Sequence, residues 1–258
     1  MHCAFVGAGS IARRYAAHLE GSPLDLTAVC DLDGGRADAL AADVGTATAY
    51  TDLEAMLAAE RAPLVVNLTS HAAHAPVTRT CLEAGRHVFS EKPLALDPER
   101  AADLVRTARE RGLALGCAPG NHRADAQRHA HTLFADGRLG AVRFVNATAN
   151  VGRVEEWHDR PDSFRAVGPL YDGAVYPLSL LVAWFGRVER VRTADALAVG
   201  AGDGAEAAPP TDAGADVDAA PHVEATVEFA DGPVVALRAS FYVDYRSREF
   251  YGLELHGD

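Results

Sequence analysis

Short apolar runs alternate with helix-like stretches through the first 117 residues, and this alternation restricts the fold more than any other feature of the chain. The apolar runs cover His2–Val6, Leu26–Cys30, Leu64–Thr69, His87–Ser90 and Leu113–Cys117. Stretches with helical spacing lie between them, at Ile11–Leu19, Asp52–Glu60, Pro76–Ala84 and Pro98–Arg111. Strands that alternate with helices at this period predict a parallel sheet covered on both faces. We therefore expect an α/β domain with a doubly wound parallel sheet over residues 1–119.

The second half of the chain has a different order of elements, because strands follow strands. Helical patterns are expected near Ala124–Phe134 and Gly173–Phe185, and strand patterns at Ala141–Val151, Val188–Thr193, Val223–Phe229, Val234–Tyr242 and Gly252–Leu255. Asp231-Gly232, between two of these strands, is a strong signal for a hairpin turn. Consecutive strands indicate antiparallel pairing, so we predict a second domain of α+β type over residues 120–258.

The segment Ala198–His222 differs from the rest of the chain in composition. It is nearly all Ala, Gly, Asp and Pro, with five acidic residues and no Lys or Arg. Such a sequence cannot bury enough apolar surface to offset the entropy lost on ordering. We interpret it as a mobile loop that joins two strands.

The net charge of −12, from 24 Lys and Arg residues against 36 Asp and Glu residues, restricts the partners of the protein. Affinity for nucleic acids comes mostly from neutralised phosphates, so we expect no nucleic-acid partner, and an anionic membrane surface is disfavoured for the same reason. No apolar run approaches the roughly 18 residues that a membrane helix needs. The four cysteines are widely spaced and form no Cys-x-x-Cys pair, and the N-terminus lacks a signal-peptide pattern. These features predict a cytoplasmic protein.

The first motif, Gly7-Ala8-Gly9-Ser10-Ile11-Ala12, directly follows the first predicted strand and opens the first predicted helix. Gly7 and Gly9 allow a tight turn, and the free N–H groups of the helix start, at Ser10 and Ile11, can bind a pyrophosphate. Asp31 follows the second predicted strand, where a carboxylate accepts from the adenosine ribose hydroxyls and repels a 2′-phosphate. We predict NAD as the cofactor, with NADP left open by nearby arginines. The alternative is a glycine turn in an α/β protein that binds no dinucleotide.

The second motif, Ser90-Glu91-Lys92-Pro93, comes directly after the strand predicted at His87–Ser90. Ligands of open α/β sheets bind at the carboxyl ends of the strands, so the Lys92 ammonium could polarise a carbonyl oxygen beside a nicotinamide. The alternative is a solvated lysine in a surface turn. The sequence leaves open whether the peptide bond before Pro93 is cis.

The third motif is Asp172…Tyr176, four residues apart in the segment that leads into the helix predicted at Gly173–Phe185. A carboxylate and a phenol on one helix face are candidates for acid/base chemistry. The alternative is structural, with Asp172 as the helix N-cap and Tyr176 as a core residue. Pro177 fits that alternative, since only the first turn of a helix tolerates proline.

These motifs occur together in an order and spacing that resembles a known family, the glucose-fructose oxidoreductase / inositol dehydrogenase (Gfo/Idh/MocA) family of dinucleotide-dependent oxidoreductases. The resemblance rests on four segments: Gly7–Ala12; Asn67-Leu68-Thr69…His74; Gly85-Arg86-His87-Val88…Glu91-Lys92-Pro93; and Asp172…Tyr176 followed by Trp184-Phe185-Gly186. It implies an N-terminal Rossmann domain followed by an α+β domain with an open, mostly antiparallel sheet, and a substrate between the two. It also implies catalytic positions at Lys92, Asp172 and Tyr176. The implied cofactor-binding residues are Gly7, Gly9, Ser10, Ile11, Asp31, Thr69, His74, Glu91 and Lys92.

The sequence departs from the family pattern in three places. Tyr176 stands where many members have histidine, which makes this chain similar to the tyrosine-type subset. The glycine run that usually precedes the aspartate is reduced to Gly168-Pro169. The chain ends at Asp258, where similar proteins continue for several strands, so we expect either a fragment or a C-terminally short member.

The expected reaction is hydride transfer between NAD(P) and a carbinol or carbonyl carbon of a sugar, cyclic polyol or diol. Tyr176 would exchange the hydroxyl proton, Lys92 would lower the pKa of the phenol, and Asp172 would bind a neighbouring hydroxyl. Weaker candidates for contacting the substrate are Asn121, Arg123, His158 and Arg165. The resemblance further implies a homo-dimer or tetramer through the C-terminal sheet.

Two other functions fit the same residues. One is a dinucleotide-binding regulator that has lost the chemistry, since fold alone never fixes function. The other is an NAD-dependent glycosidase that oxidises its substrate only transiently. No metal site is expected, because the eleven histidines form no cluster with convincing ligand spacing.

Overall fold

The structure, a computed structural model, describes residues 1–158, 161–197, 219–243 and 250–258. The chain divides into two compact units, Met1–Ala118 and Pro119–Asp258. Within the described residues no helix is both long enough and apolar enough to cross a membrane.

The first unit contains a six-stranded sheet in which every neighbouring pair is parallel. The strands are β1 (His2–Val6), β2 (Asp25–Cys30), β3 (Thr48–Tyr50), β4 (Leu64–Asn67), β5 (His87–Ser90) and β6 (Leu115–Cys117). Their order in the sheet is β3-β2-β1-β4-β5-β6. The strand order reverses between β1 and β4, which is where ligands bind in doubly wound sheets.

Five helices connect these strands, and acidic caps begin three of them. The helices are α1 (Ser10–Ala17), α2 (Gly34–Val44), α3 (Leu53–Ala59), α4 (His74–Glu83) and α5 (Pro98–Glu110). The carboxylates of Asp33, Asp52 and Asp97 accept backbone N–H bonds from the first turns of α2, α3 and α5. Each such cap contributes about 1 kcal/mol relative to alanine. Pro98, at the first helical position of α5, needs no N–H partner there.

Apolar clusters cover both faces of this sheet, as a parallel sheet requires. On one face Met56, Leu82 and Leu104 pack against the sheet residues Val65 and Val88. The cluster on the opposite face contains Phe5, Ala12, Leu26, Val29, Leu40 and Val66. The fold class expected from the sequence is therefore confirmed for this unit, with β3 and α2 as elements that the pattern did not indicate.

The second unit contains a five-stranded sheet. The strands are β7 (Val142–Asn150), β8 (Val188–Leu197), β9 (His222–Phe229), β10 (Val234–Ser240) and β11 (Tyr251–Gly257). Their order in the sheet is β11-β7-β10-β9-β8. Neighbouring strands are antiparallel except β7 and β10, which are parallel. The expectation of an open, mostly antiparallel sheet is confirmed, and Asp231-Gly232 lies in the turn between the antiparallel pair β9 and β10.

The helices of the second unit are α6 (Asp125–Ala135), the single turn α7 (Asp162–Arg165) and α8 (Val175–Phe185). Leu181 of α8 packs on the inward residues of the sheet, including Val145, Val227 and Leu237. A π-helical segment, Leu170–Ala174, leads directly into α8. The helical region therefore starts upstream of the predicted Gly173.

Most of the predicted mobile loop lies outside the described residues, since only 219–222 of Ala198–His222 are described. The strands on its two sides, β8 and β9, are antiparallel neighbours, with Leu197 opposite His222 in the register.

Candidate functional site

Gly7 follows β1 in a conformation that other residues rarely adopt. Its φ is +98°, and a Cβ built there would lie 2.4 Å from the carbonyl oxygen of Leu68. Its N–H donates to the carbonyl of Cys30 at 2.7 Å. The turn after β1 is therefore held between the ends of β2 and β4, and only glycine fits.

Gly9 is the N-cap of α1, and the start of this helix is open toward solvent. Among the described residues no atom lies within 4 Å of a Cβ built at Gly9. Ser10 is exposed and Ile11 half-buried, while Ala12 is fully buried against the sheet. Free N–H groups at a helix start, next to a glycine without a side chain, form a suitable cradle for a pyrophosphate.

Asp31, directly after β2, is bound to the glycine turn. Its Oδ2 accepts from the N–H of Ala8 at 2.8 Å, and its Oδ1 accepts from the N–H of Asp33 at 2.9 Å. Each carboxylate oxygen retains a second lone pair, so the group can still accept from ribose hydroxyls. The guanidinium of Arg36 pairs with Asp33, with 3.2 Å between Nε and Oδ2.

Lys92 follows β5 in a turn that Glu91 ties to the rest of the unit. The Glu91 carboxylate accepts from the Tyr15 hydroxyl at 2.6 Å and from the N–H of Lys92 at 3.1 Å. The N–H of Glu91 donates to the carbonyl of Asn67 at 2.8 Å. The Lys92–Pro93 peptide bond is cis, and the Lys92 residue is half-buried.

His74 is 1% exposed and faces two backbone carbonyls. Its Nδ1 lies 2.8 Å from the Pro93 oxygen and its Nε2 lies 3.1 Å from the Thr69 oxygen. Burial lowers the pKa of the imidazole more than its hydrogen bonds raise it. The side chain therefore connects the turn after β4 to the Lys92 turn, which leaves neither ring nitrogen directed toward solvent.

Thr69 is held by the buried Asn67. The Asn67 Oδ1 accepts from the Thr69 hydroxyl at 2.7 Å, and its Nδ2 donates to the His74 carbonyl at 2.9 Å and to the Thr78 hydroxyl at 3.1 Å. The residues that end β1, β2, β4 and β5 all lie at one edge, because parallel strands share their carboxyl ends. This edge carries Gly7, Asp31, Thr69 and Lys92, and its backbone cradle and carboxylate fit a dinucleotide.

Asp172 lies inside the π-helical segment of the second unit and is 3% exposed. The alternative in which Asp172 is a helix N-cap does not hold, because the segment begins at Leu170. Gly173 allows this segment to approach β7 closely, since a Cβ there would lie 2.4 Å from Val151 Cγ2. π-helical turns are frequent at functional sites.

Tyr176 lies in the first turn of α8 and its ring contacts two aromatic rings. It is stacked on Tyr251 at 5.5 Å and meets Phe250 edge-to-face at 5.3 Å. The hydroxyl of Tyr251 accepts from Gln127 Nε2 at 3.2 Å. The Tyr176 ring is therefore oriented by Tyr251 of β11 and by Phe250, which precedes that strand, while Tyr176 remains half-buried.

The weaker candidates have different surroundings. The side-chain amide of Asn121 donates to the Tyr176 carbonyl at 2.9 Å. Arg123 is exposed, and the His158 ring packs against Phe164 with 4.6 Å between centroids. Arg165 is exposed and pairs with Glu155 and Asp162 at 3.3 and 3.4 Å.

Four residues that the sequence did not indicate as site residues take part in these networks, although one of them, Asn67, belongs to a segment that carries the family resemblance. They are Tyr15, Asn67, Thr78 and Ser179. Lys92 is the only lysine in the sequence, beside 23 arginines. Lysine and arginine differ in shape and hydration, so this composition is a further sequence signal that singles out Lys92.

No group of three or more His, Cys, Asp or Glu side chains in the described part of the chain is arranged to hold a metal ion.

The fold and the cradle after β1 define a two-unit protein with a dinucleotide-binding Rossmann domain. Residues 1–118 match the family model described as an oxidoreductase family with an NAD-binding Rossmann fold, and residues 127–258 match the GFO/IDH/MocA C-terminal domain. The chain belongs to the Gfo/Idh/MocA family of oxidoreductases, as its motifs predicted. NAD is the cofactor of its first unit.

Individual relatives match over the whole chain. D-glucoside 3-dehydrogenase of Escherichia coli K12 is 29% identical over 100% of this chain and 75% of its own length. Other curated relatives match over about half of their own length. The solved structure of GenD2 from gentamicin A biosynthesis, in complex with NAD, is 28% identical with a TM-score of 0.80, and this chain spans 70% of it.

The WlbA dehydrogenase from Chromobacterium violaceum, solved with NADH and UDP-GlcNAcA, has a TM-score of 0.84 over 100% of this chain and 72% of its own. At 23% identity this likeness concerns the fold alone.

Proposed function

We propose that the protein is an NAD-dependent dehydrogenase or reductase acting on a CH–OH group of a sugar, cyclic polyol or diol. The observation that carries this proposal is the match of both units to one oxidoreductase family, together with relatives named for sugar, inositol and diol oxidation. The cradle at Gly7 and the position of Asp31 support NAD as the redox partner.

The cofactor would be held along the carboxyl edge of the first sheet. Backbone N–H groups of Gly9, Ser10 and Ile11 would bind the pyrophosphate, and Asp31 would accept from the adenosine ribose. Thr69 and Glu91 lie just after the neighbouring strands β4 and β5 and would contact the nicotinamide half. NAD, when bound, accepts or returns the hydride.

The chain itself supplies the proton chemistry in this proposal. Tyr176, as its phenolate, would take the proton of the reacting hydroxyl during oxidation and become the phenol, which would return the proton during reduction, a contribution of roughly 10²–10⁴-fold. Asp172, buried one helical turn before Tyr176, would accept from a second substrate hydroxyl. The Lys92 ammonium would donate to the reacting oxygen and stabilise its negative charge.

The test is NADH and NADPH formation with panels of sugars, glycosides, inositols and diols, for the wild type and for Lys92→Met, Lys92→Arg and Tyr176→Phe. We expect turnover by the wild type, and a loss of at least 100-fold in kcat for Lys92→Met and Tyr176→Phe (about 10²–10⁴-fold for a lost acid/base group). Lys92→Arg keeps the charge but not the ammonium, so we expect a loss there too. Full turnover by Lys92→Met and Tyr176→Phe would remove both residues from the mechanism.

Two added measurements, NADH binding by fluorescence titration and detection of free sugar in the same reactions, separate the two other functions. A regulator would bind NADH without turnover of any substrate. A glycosidase would release free sugar without net accumulation of NADH.

We also propose a cytoplasmic homo-oligomer. A groove of about 520 Å³ crosses the outer face of the second sheet, where polar side chains such as Thr226, Arg238 and Glu254 replace the apolar residues of the inner face. Light scattering should give a dimer or tetramer, and Thr226→Glu should reduce the measured mass of the assembly. A monomeric wild type would contradict the oligomer.

The cytoplasmic location is supported by the cysteines. All four are free, in keeping with a reducing compartment.

A further inference from the structure

Three polar groups lie within hydrogen-bond distance of one another: the Asn121 side-chain amide, the Ser179 hydroxyl and the Tyr176 backbone carbonyl. The Nδ2 of Asn121 donates to the Tyr176 carbonyl at 2.9 Å, and the Oδ1 of the same amide accepts from the Ser179 hydroxyl at 3.0 Å. The Ser179 oxygen also lies 2.9 Å from the Tyr176 carbonyl. A hydroxyl has one proton, so Ser179 donates to only one of these oxygens at a time.

The backbone around Tyr176 lacks part of the usual helical hydrogen bonding. The preceding residues, Leu170–Ala174, form a π-helical segment, and the following residue, Pro177, has no N–H. Proline removes one bond of the i→i−4 ladder, and a π turn shifts the remaining ones. The turn that carries Tyr176 therefore has fewer backbone hydrogen bonds than a regular helix, and the side-chain donors to the Tyr176 carbonyl add to those that remain.

Asn121 comes from a separate element, the single helical turn Asn121–Arg123 that precedes α6. Its contact with Tyr176 spans 55 residues of sequence, and it is half-buried. A bond of this kind limits sliding and rotation of α8 relative to that turn. The Tyr251 and Phe250 rings restrict the phenol, whereas Asn121 and Ser179 restrict the backbone that carries it.

We propose that Asn121 and Ser179 are positioning residues for Tyr176, which they hold through its backbone carbonyl, and that Asn121 is not a substrate ligand. The inference rests on the proposed role of Tyr176 as the proton-exchanging group. A displacement of about 1 Å at a reacting group can reduce turnover by 10²-fold. Loss of the anchor should therefore reduce kcat with little effect on cofactor affinity, since the cofactor is bound by the first unit.

The decisive variant is Asn121→Asp, which keeps the shape of the side chain and the acceptor for Ser179 but removes the donor to Tyr176. Ser179→Ala removes the hydroxyl, and Ser179→Thr retains it. Thr132→Ala is the matched control, because the Thr132 hydroxyl also bonds a helical carbonyl, that of Arg128 at 3.0 Å in α6, without contact to Tyr176.

Three measurements are made on all four variants: kcat, the NADH dissociation constant and hydrogen exchange. We expect kcat to fall roughly 10- to 100-fold in Asn121→Asp and by less in Ser179→Ala. The NADH dissociation constant should stay within about twofold, and Ser179→Thr and Thr132→Ala should remain near wild type. Hydrogen-exchange mass spectrometry should show faster exchange of the amides at 175–181 in Asn121→Asp and Ser179→Ala, with no change in residues 1–118.

The outcomes separate this inference from the proposed function. Unchanged exchange at 175–181 overturns the anchor whether or not the wild type is active. Faster exchange with unchanged kcat overturns the positioning role. Faster exchange in a protein whose wild type turns over no substrate contradicts the proposed function and leaves the anchor in place. A rise in the substrate KM alone, with kcat unchanged, would return Asn121 to a substrate-binding role.

Discussion

The carboxylate of Asp31 accepts a hydrogen bond from the backbone N–H of Ala8, with 2.8 Å between Oδ2 and N. This bond joins the end of β2 to the glycine turn after β1. In the proposed function Asp31 would therefore have two tasks, because the carboxylate that would accept from the ribose hydroxyls also holds the glycine turn. Its other oxygen accepts from Asp33, so both oxygens are oriented before any cofactor arrives.

Asp31→Asn should change cofactor preference. The variant loses the charge that repels a 2′-phosphate, and its amide can accept from only one of the two backbone N–H groups. We expect NADH to bind about tenfold more weakly, with the ratio of NADPH to NADH affinity rising by about the same factor, equivalent to roughly 1.4 kcal/mol. Fluorescence titration measures the dissociation constants of both nucleotides.

The control is Asp43→Asn, which removes only an exposed ion-pair partner of Arg13. Equal weakening of both nucleotides would contradict a role in selection.

Gly7→Ala should abolish dinucleotide binding and destabilise the first unit. The added methyl would meet the Leu68 carbonyl at 2.4 Å, and φ of +98° is unfavourable for alanine. Gly45→Ala is the matched control, since Gly45 also has a positive φ of +78° but no described atom within 4 Å of its Cβ. Strain alone costs about 1–3 kcal/mol in either variant. Thermal unfolding and NADH titration should therefore show a further loss of stability, and a loss of binding, only for Gly7→Ala.

The architecture was largely predictable because hydrophobic periodicity determines it. His2–Val6 and His87–Ser90 are strands with the predicted limits, and the order of alternating elements defines the parallel sheet. Helix α2 was missed because its first residues are two glycines, and β3 has only three residues. The parallel pairing of β7 with β10 could not be derived either, since pairing between distant strands leaves no local pattern.

The site was predictable at the level of backbone motifs and less so for its supporting contacts. Gly7 and Asp31 belong to the dinucleotide-binding pattern, in which the residue types and their spacing can be recognised in the sequence. The bond from Tyr15 to Glu91 spans 76 residues, and no local spacing indicates it. His74 was selected as a cofactor ligand from the resemblance, whereas the structure directs both of its ring nitrogens to backbone carbonyls. Burial is a property of the fold, so the side-chain type alone could not distinguish these roles.

His74 should make stability depend on pH. Burial lowers its pKa below the usual 6.5, with His71 acting in the same direction and Glu91 and the two carbonyl contacts opposing. Below pH 6.5 the unfolded chain binds a proton that the folded protein does not, so stability falls as the pH decreases through this window. His74→Gln cannot titrate. Urea unfolding at pH 7.5, 6.5 and 5.5 measures the free energy of unfolding of the wild type and of His74→Gln. At pH 7.5 we expect the wild type to be more stable by about 1–3 kcal/mol, because the variant loses buried hydrogen bonds. At pH 5.5 we expect a smaller difference. A difference that is constant across this range would contradict the lowered pKa.

Lys92 should be the one side chain of the protein that amine reagents modify. The chain has no other lysine, so reagents such as trinitrobenzenesulfonate can react only with Lys92 and the Met1 amine, which is held by Pro23 and Asp25. NADH bound beside Lys92 should slow its modification about tenfold at a concentration ten times the dissociation constant, because only unoccupied protein reacts.

Two controls accompany this measurement. The Met1 adduct should form at the same rate with and without NADH, and Lys92→Arg should retain the Met1 adduct alone. Peptide mapping by mass spectrometry measures both rates. If NADH leaves the Lys92 rate unchanged while fluorescence shows it bound, Lys92 does not adjoin the cofactor and its proposed role in the reaction fails.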